Sequence, residues 1–70
     1  MNRRLRLTAE RERLGLSKAE TARRAGLNAA TISQAESGRF RPYDSQLLKL
    51  LDVFGLEGDP KQLLEEVDDR

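Results

Sequence analysis

Residues 16–38 read LSKAETARRAGLNAATISQAESG, and this segment holds the clearest helix start and stop signals of the chain. Ser17 and Glu20 form a capping-box pattern, in which the two side chains can satisfy free backbone N–H groups at the start of a helix. Gly26 is suited to the left-handed conformation that ends such a helix. The pattern therefore predicts a helix over about residues 18–25.

A second helix follows after a very short turn. Asn28 is a residue type that caps helices at their N-terminus, and Gly38 marks an end, which predicts a helix over about residues 29–37. Because only residues 26–28 separate the two helices, they cannot lie antiparallel and must cross steeply. Such a crossing requires small or apolar side chains at the contact, and the candidates are Ala22, Ala25, Leu27, Ile32 and Ala35.

The flanking segments indicate three more short helices. We expect a first helix over about residues 8–14, a fourth over 44–54 and a fifth over 60–67, with residues 1–6 as a basic N-terminal arm. Every connection is short and no internal repeat is visible. The sequence therefore predicts that residues 1–70 form one compact all-α domain of five helices, rich in Leu and Ala and poor in aromatic residues.

Apolar positions indicate which faces of these helices are buried. Leu7 and Leu14 lie two turns apart and mark the inner side of the first helix, with Arg11 between them on that side. In the last segment, Asp59 and Gln62 form another capping-box pattern with a proline between them, which predicts the start of the fifth helix. The fourth helix carries a broad apolar stripe, formed by Leu47, Leu48, Leu50, Leu51 and Phe54.

Composition excludes several functions. The chain contains no Cys and no His, which removes disulfides, thiolate metal sites, and the commonest general base and transition-metal ligand. No Gly-rich phosphate loop or nucleophile motif is visible, so we expect neither an enzyme nor a cofactor or metal. No apolar run approaches a membrane span and no secretory signal is present, so by elimination we expect a soluble cytoplasmic protein.

Charge is distributed unevenly along the chain. Residues 1–41 hold ten Lys or Arg against four acids, a local balance of +6, whereas residues 42–70 hold three against eight, a balance of −5. This asymmetry indicates that one face of the protein binds a polyanion while the other face has a different role. A scattered and solvated charge pattern is the alternative interpretation.

The two crossing helices resemble the helix-turn-helix of phage repressor and Cro-type transcription regulators. The resemblance rests on a small Ala, a turn Gly and a β-branched residue, matched by Ala22, Gly26 and Ile32. It extends from about Leu7 to Val67, and one departure is Thr21, where an aliphatic residue is usual. The Glu-x-Gly ending and later Pro of that family are matched by Glu36, Gly38 and Pro42.

The resemblance implies a sequence-specific regulator of transcription, repressor-like or Cro-like, that places its third helix in the major groove of double-stranded DNA. At about 100° per residue, Ile32 and Ala35 face the core, and the opposite side is slim and uncharged. Gln34 is the best base reader on that side, because its amide can pair bidentately with adenine. The full set of candidate base readers is Ala29, Ala30, Ser33, Gln34 and Ser37.

Ala29 and Ala30 stand where the family often has longer polar readers. Their methyl groups can only pack against thymine methyls or leave room, which suggests an A·T-rich preference or help from DNA shape. Good helix propensity explains the two alanines equally well.

Four residues are candidates for contact with the DNA backbone. By resemblance, Lys18 lies near a phosphate or a base edge, and Asn28 lies near the backbone. Arg39 and Arg41 follow the third helix and are placed to clamp the sugar–phosphate chain, with solubilising loop charge as the alternative. For the pair Arg23–Arg24, in the last turn of a helix, a structural role is favoured. The basic arm could follow a groove or remain disordered.

The resemblance also implies a structural ion pair and a dimer. In the family, the positions of Arg11 and Glu36 form a partly buried pair that links the first and third helices. Repressor-type domains pair through the fifth helix or the loop before it. These segments here offer Leu56, Leu63, Leu64 and Val67, although these side chains could instead only cover the domain's own core. An alternative function is a protein-interaction module, such as an antitoxin, that binds a partner protein through its acidic residues 57–70.

Overall fold

The computed structural model describes residues 2–69, and the side chains of residues 4–67. Because a cap or a glycine stands at most boundaries, the helices are short and sharply ended. The elements are, in order, strand β1 (Asn2–Leu5), helices α1 (Arg6–Arg13), α2 (Lys18–Ala25), α3 (Ala29–Glu36) and α4 (Asp44–Phe54), a 3₁₀ helix (Pro60–Leu64), and strand β2 (Glu66–Asp69).

Helices α2 and α4 have the bounds that the sequence predicts, and α3 ends one residue early. The Ser17 hydroxyl caps α2 by accepting a hydrogen bond from the backbone N–H of Glu20 at 3.0 Å. Gly26 ends α2 at φ +71°, in the left-handed region. Helix α1 begins two residues before the predicted start, at Arg6.

The predicted fifth α-helix over residues 60–67 is wrong. The Asp59 carboxylate accepts from the backbone N–H of Lys61 at 2.9 Å, but the Gln62 amide donates to the carbonyls of Glu57 and Asp59 instead of completing the capping box. The last part of the predicted helix is occupied by β2, whose backbone pairs with β1 at the other end of the described chain. The chain therefore makes a single 3₁₀ segment and then extends as β2.

Strand β2 pairs antiparallel with β1, so the two ends of the described chain lie side by side. The register aligns Arg3 with Asp68 and Leu5 with Glu66, and the Arg6 N–H extends it by donating to the Glu65 carbonyl at 2.8 Å. Residues 2–5 of the predicted basic arm thus form a paired strand instead of a disordered arm; residue 1 lies outside the described residues. The fold within residues 2–69 is mostly helical, with four α-helices and a two-stranded sheet in place of a five-helix all-α domain.

The core lies where α1, α2, α3 and α4 meet the 3₁₀ helix. Two predicted core positions are wrong: Leu14 is 40% exposed and Leu48 is 54% exposed. Leu14 follows the last residue of α1, and Leu48 is rotated by about 100° from Leu47 towards solvent. The buried apolar residues are Leu7, Ala22, Ala25, Ile32, Ala35, Leu47, Leu50, Leu51, Phe54 and Leu63.

Thr21, the departure from the family pattern, is fully buried. Its hydroxyl donates to the backbone carbonyl of Ser17, one turn earlier, at 2.9 Å. The hydrogen bond satisfies the polar group inside the core, so the helix accepts Thr at this position.

Candidate nucleic-acid interface

Helix α3 offers one exposed and uncharged face. Ile32 and Ala35 are buried against the core, as the helical period requires. All five candidate base readers are exposed. By the helical period, four of them lie on the side opposite to the core and Ala29 lies at its edge; the five are Ala29, Ala30, Ser33, Gln34 and Ser37.

The polar groups of this face are not equally available. The Ser37 hydroxyl donates to the Gln34 carbonyl at 3.0 Å, so its proton is already used. The side chains of Ser33 and Gln34 have no hydrogen-bond partner among the described residues. The hydroxyl of Ser33 and the amide of Gln34 are therefore the groups free to read base edges.

Asn28 departs from its expected capping role. Its backbone is extended at the N-cap position, with φ −84° and ψ 142°, but its side chain makes no capping hydrogen bond. The Asn28 carbonyl instead accepts from the N–H groups of Thr31 and Ile32, at 3.0 and 3.3 Å. The exposed amide at the tip of the turn is left available for an outside partner.

A glycine turn fixes where the chain goes after α3. Gly38 has φ +82°, and its N–H donates to the Ala35 carbonyl at 3.2 Å. The Arg39 N–H donates to the Gln34 carbonyl at 2.9 Å, which completes a Schellman motif. The backbone of Arg39 is thus tied directly to the helix that carries the exposed face.

Exposure alternates along the loop that follows. Arg39 and Arg41 are exposed, whereas Phe40 is half-buried and Pro42 is buried. In an extended segment, alternate side chains point to opposite sides, so the two guanidinium groups project together into solvent. Both therefore lie beside the end of α3 and outside the core.

Tyr43 is a further candidate for contact with DNA that was not predicted from the sequence. It continues the alternation on the side of Arg39 and Arg41, and it is 68% exposed. Its ring packs edge-to-face on Phe40, with centroids 6.0 Å apart and planes at 89°. The alternation of charged and apolar residues from Arg39 onward was the signal that could have indicated it.

Ion pairing separates the cations of the basic half into two groups. Among the side chains described within residues 4–41, Lys18, Arg39 and Arg41 have no acidic partner, and all three are exposed. Lys18 begins α2, whereas the two arginines follow α3, so these cations flank the helix-turn-helix at both ends. The paired set is Arg4–Glu12, Arg6–Glu10, Arg13–Glu10, Arg11–Glu36, Arg23–Glu20 and Arg24–Glu20.

Glu20 neutralises the two arginines at the end of α2. Arg23 Nε donates to one carboxylate oxygen at 3.1 Å, and Arg24 Nε donates to the other at 2.7 Å. These hydrogen bonds lower the pKa of Glu20, and the bond from Arg23 has the larger effect. The hydrogen bond to Glu20 also raises the pKa of Arg23. The two arginines therefore pair with Glu20 in addition to lying at the favourable end of the helix dipole, which agrees with a structural role.

The candidate dimer residues belong mainly to the domain's own core. Leu63 is fully buried, while Leu56 and Leu64 are half-buried and pack against the same cluster. Val67 is half-buried within β2 rather than on a helix. The prediction of a pairing surface on a fifth α-helix is therefore wrong, because that helix does not form and Leu63 is inaccessible.

Metal-binding clusters and membrane spans are absent from the described part of the chain. Among the side chains of residues 4–67, no group of three or more carboxylates is arranged to hold a metal ion. The longest of their helices, α4, has eleven residues, and none of them has the length and apolar character of a bilayer span.

Two short helices pack together across a tight turn, the second has an exposed face, and cations without an acidic partner among the described side chains lie at both ends of the pair. This arrangement defines a helix-turn-helix DNA-binding domain. A family model described as a helix-turn-helix domain matches residues 4–64, and the chain belongs to that family. No curated protein and no solved structure matches the chain significantly. The family assignment makes DNA the partner and transcription regulation the associated role, and domains of this class are typically not enzymes.

Proposed function

We propose that this protein is a sequence-specific regulator of transcription, repressor-like or Cro-like, that inserts α3 into the major groove. Ser33 and Gln34 make hydrogen bonds to bases, Ala29 and Ala30 pack against base edges, and Ser37 accepts or packs at the end of the face. The observation that carries the proposal is the uncharged exposed face of α3 beside cations that no acid among the described side chains neutralises.

Backbone contacts hold the recognition helix in register. In this proposal, Lys18 and Asn28 contact one side of the groove, from the start of α2 and the turn before α3. Arg39 and Arg41 contact the phosphates beyond the end of α3. Their exposure and lack of an acidic partner support this assignment, since a cation already paired must break that pair to meet a phosphate.

A salt series on a mixed-sequence duplex tests the proposal. Each phosphate neutralised contributes about −0.9 to the slope of log affinity against log salt, so the three unpaired cations predict a slope of roughly −3. A triple variant, Lys18→Gln, Arg39→Gln and Arg41→Gln, should lose most of that slope.

A matched triple variant controls for net charge. Arg13→Gln, Arg23→Gln and Arg24→Gln removes the same number of charges from exposed arginines that are already paired with Glu10 or Glu20. It should keep most of the slope. Equal losses in the two triple variants, with folding checked by circular dichroism, would contradict the assignment of Lys18, Arg39 and Arg41.

Selection of bound sequences from a random duplex pool tests specificity and assembly together. Two half-sites roughly 34 Å apart, related by two-fold symmetry, indicate that two copies bind. A single short asymmetric site indicates one copy. Absence of any enriched sequence contradicts sequence-specific binding.

A protein-interaction module is the second candidate function. It is favoured by exposed acids of the C-terminal part that have no ion-pair partner among the described residues: Glu57, Asp59 and Glu65. A basic partner protein, as expected for an antitoxin-like role, would pair with them. If the chain binds no duplex even at low salt, this second function replaces the first.

A further inference from the structure

The fully exposed side chains in the first turn of α3 are methyl groups, since Thr31 is half-buried. Ala29 and Ala30 are both exposed, and neither side chain can donate or accept a hydrogen bond. The next two N–H groups, those of Thr31 and Ile32, are already bonded to the Asn28 carbonyl. A base edge that meets this turn through the side chains therefore encounters an apolar surface.

The second half of the face has few polar groups. The amide of Gln34 and the hydroxyl of Ser33 are free, whereas the proton of Ser37 is committed to the Gln34 carbonyl. No Lys or Arg lies on the face, although these are the side chains that most often recognise guanine, through its O6 and N7. The face consequently lacks the usual means of recognising a G·C pair.

From this surface we infer that α3 selects A·T pairs, with thymine methyl groups packed against Ala29 and Ala30 and an adenine bound by Gln34. The C5-methyl of thymine is the apolar group that a base pair offers in the major groove, and adenine N6 and N7 match the donor and acceptor of an amide. The inference rests on the proposed insertion of α3 into the major groove, and it adds which base pairs that groove must contain.

Base analogues test this without altering the protein. In the duplex recovered by selection, each thymine is replaced in turn by deoxyuridine, which lacks the methyl group but keeps every hydrogen-bonding group. At thymines under Ala29 and Ala30, affinity should fall about four-fold per methyl group, the value for one buried carbon. Thymines outside the contacted pairs are the matched control and should show no change.

A second substitution separates direct contact from DNA shape. Replacing an A·T pair by an inosine·cytosine pair keeps the minor-groove edge free of the guanine amino group but removes the thymine methyl from the major groove. Methyl contact predicts a loss of affinity with this pair as well. Unchanged affinity would show that a narrow minor groove is read instead, and would overturn the inference.

The protein side is tested by Ala30→Gly, which removes the methyl group facing the base. In this variant, the difference between thymine and deoxyuridine at the affected position should disappear, whatever the variant's own affinity, because the comparison is internal. Three results would each overturn the inference. They are a persistent difference, equal binding of thymine and deoxyuridine by the unaltered protein, and a selected site with G·C pairs at the positions that α3 contacts. Failure of the unaltered protein to bind any duplex at low salt would instead refute the proposed function.

Discussion

The guanidinium of Arg11 holds both carboxylate oxygens of Glu36, with Nε–Oε2 at 2.7 Å and Nη2–Oε1 at 3.0 Å. Its third nitrogen, Nη1, donates to the backbone carbonyl of Leu16 at 2.9 Å. The side chains are only 11% and 8% exposed. One arginine therefore connects α1, the loop before α2 and the last residue of α3, and so helps fix the position of the recognition helix.

Glu36→Ala should destabilise the fold by about 2–4 kcal/mol, because it leaves a largely buried guanidinium without its carboxylate. Chemical denaturation followed by circular dichroism measures the change. Arg13→Ala is the matched control, since it breaks an exposed pair with Glu10 and should cost less than about 1 kcal/mol. Equal stability of Glu36→Ala and the unaltered protein would show that the buried pair contributes nothing.

Gln34→Ala should weaken binding to the selected operator by about 1–3 kcal/mol and relax the preference at one base pair. The reason is that its free amide is the one side chain on the face able to pair bidentately with a base. Arg41→Ala is the contrasting variant, which should weaken operator and random duplex alike. If Gln34→Ala lowers affinity for random and selected duplexes equally, Gln34 is not a base reader.

Asn28→Asp separates helix capping from DNA binding. Aspartate caps helices well and favours the positive end of the helix dipole, so the variant should be at least as stable as the unaltered protein. On DNA, its carboxylate should weaken binding about five-fold, because two like charges about 4 Å apart in water repel by about 1 kcal/mol. Thermal denaturation and fluorescence anisotropy give the two readouts, and unchanged affinity would remove Asn28 from the backbone contacts.

Glu20 should titrate below its ordinary pKa of 4.5, because Arg23 and Arg24 donate hydrogen bonds to its carboxylate. A carboxyl group whose pKa is lower in the folded chain than in the unfolded chain stabilises the fold at pH values above its ordinary pKa. That contribution is lost as the pH falls through the folded-state pKa. NMR of the side-chain carboxyl carbon measures the midpoint, which should rise in the double variant Arg23→Gln and Arg24→Gln; a midpoint at 4.5 or above in the unaltered protein would contradict the pairing.

Local signals in the sequence predicted α2, α3 and α4 well. Their ends depend on neighbouring residues, such as the Ser17 cap and the left-handed Gly26 and Gly38, and caps act within a few residues. The exposed face of α3 was predictable for the same reason, because the helical period alone places Ile32 and Ala35 opposite to it.

Predictions failed where distant segments compete. The segment after Asp59 has helix-start residues, yet its last part pairs with β1, which lies at the other end of the chain. Leu14 and Leu48 have the right period for a buried face, but the neighbouring elements do not cover them. Likewise, which of the many arginines form an ion pair with a carboxylate depends on the folded structure.

Local sequence signals were enough to predict two short helices joined by a tight turn and a slim uncharged edge on the second helix, since these depend on bonds and angles between near neighbours. Only the folded structure shows that the two ends of the described chain pair as strands, that Leu63 lies inside, and that Lys18, Arg39 and Arg41 have no acidic partner among the described side chains. The reason is that backbone pairing, burial and ion pairing join residues far apart in the chain, and no local pattern encodes which partner is nearest after folding.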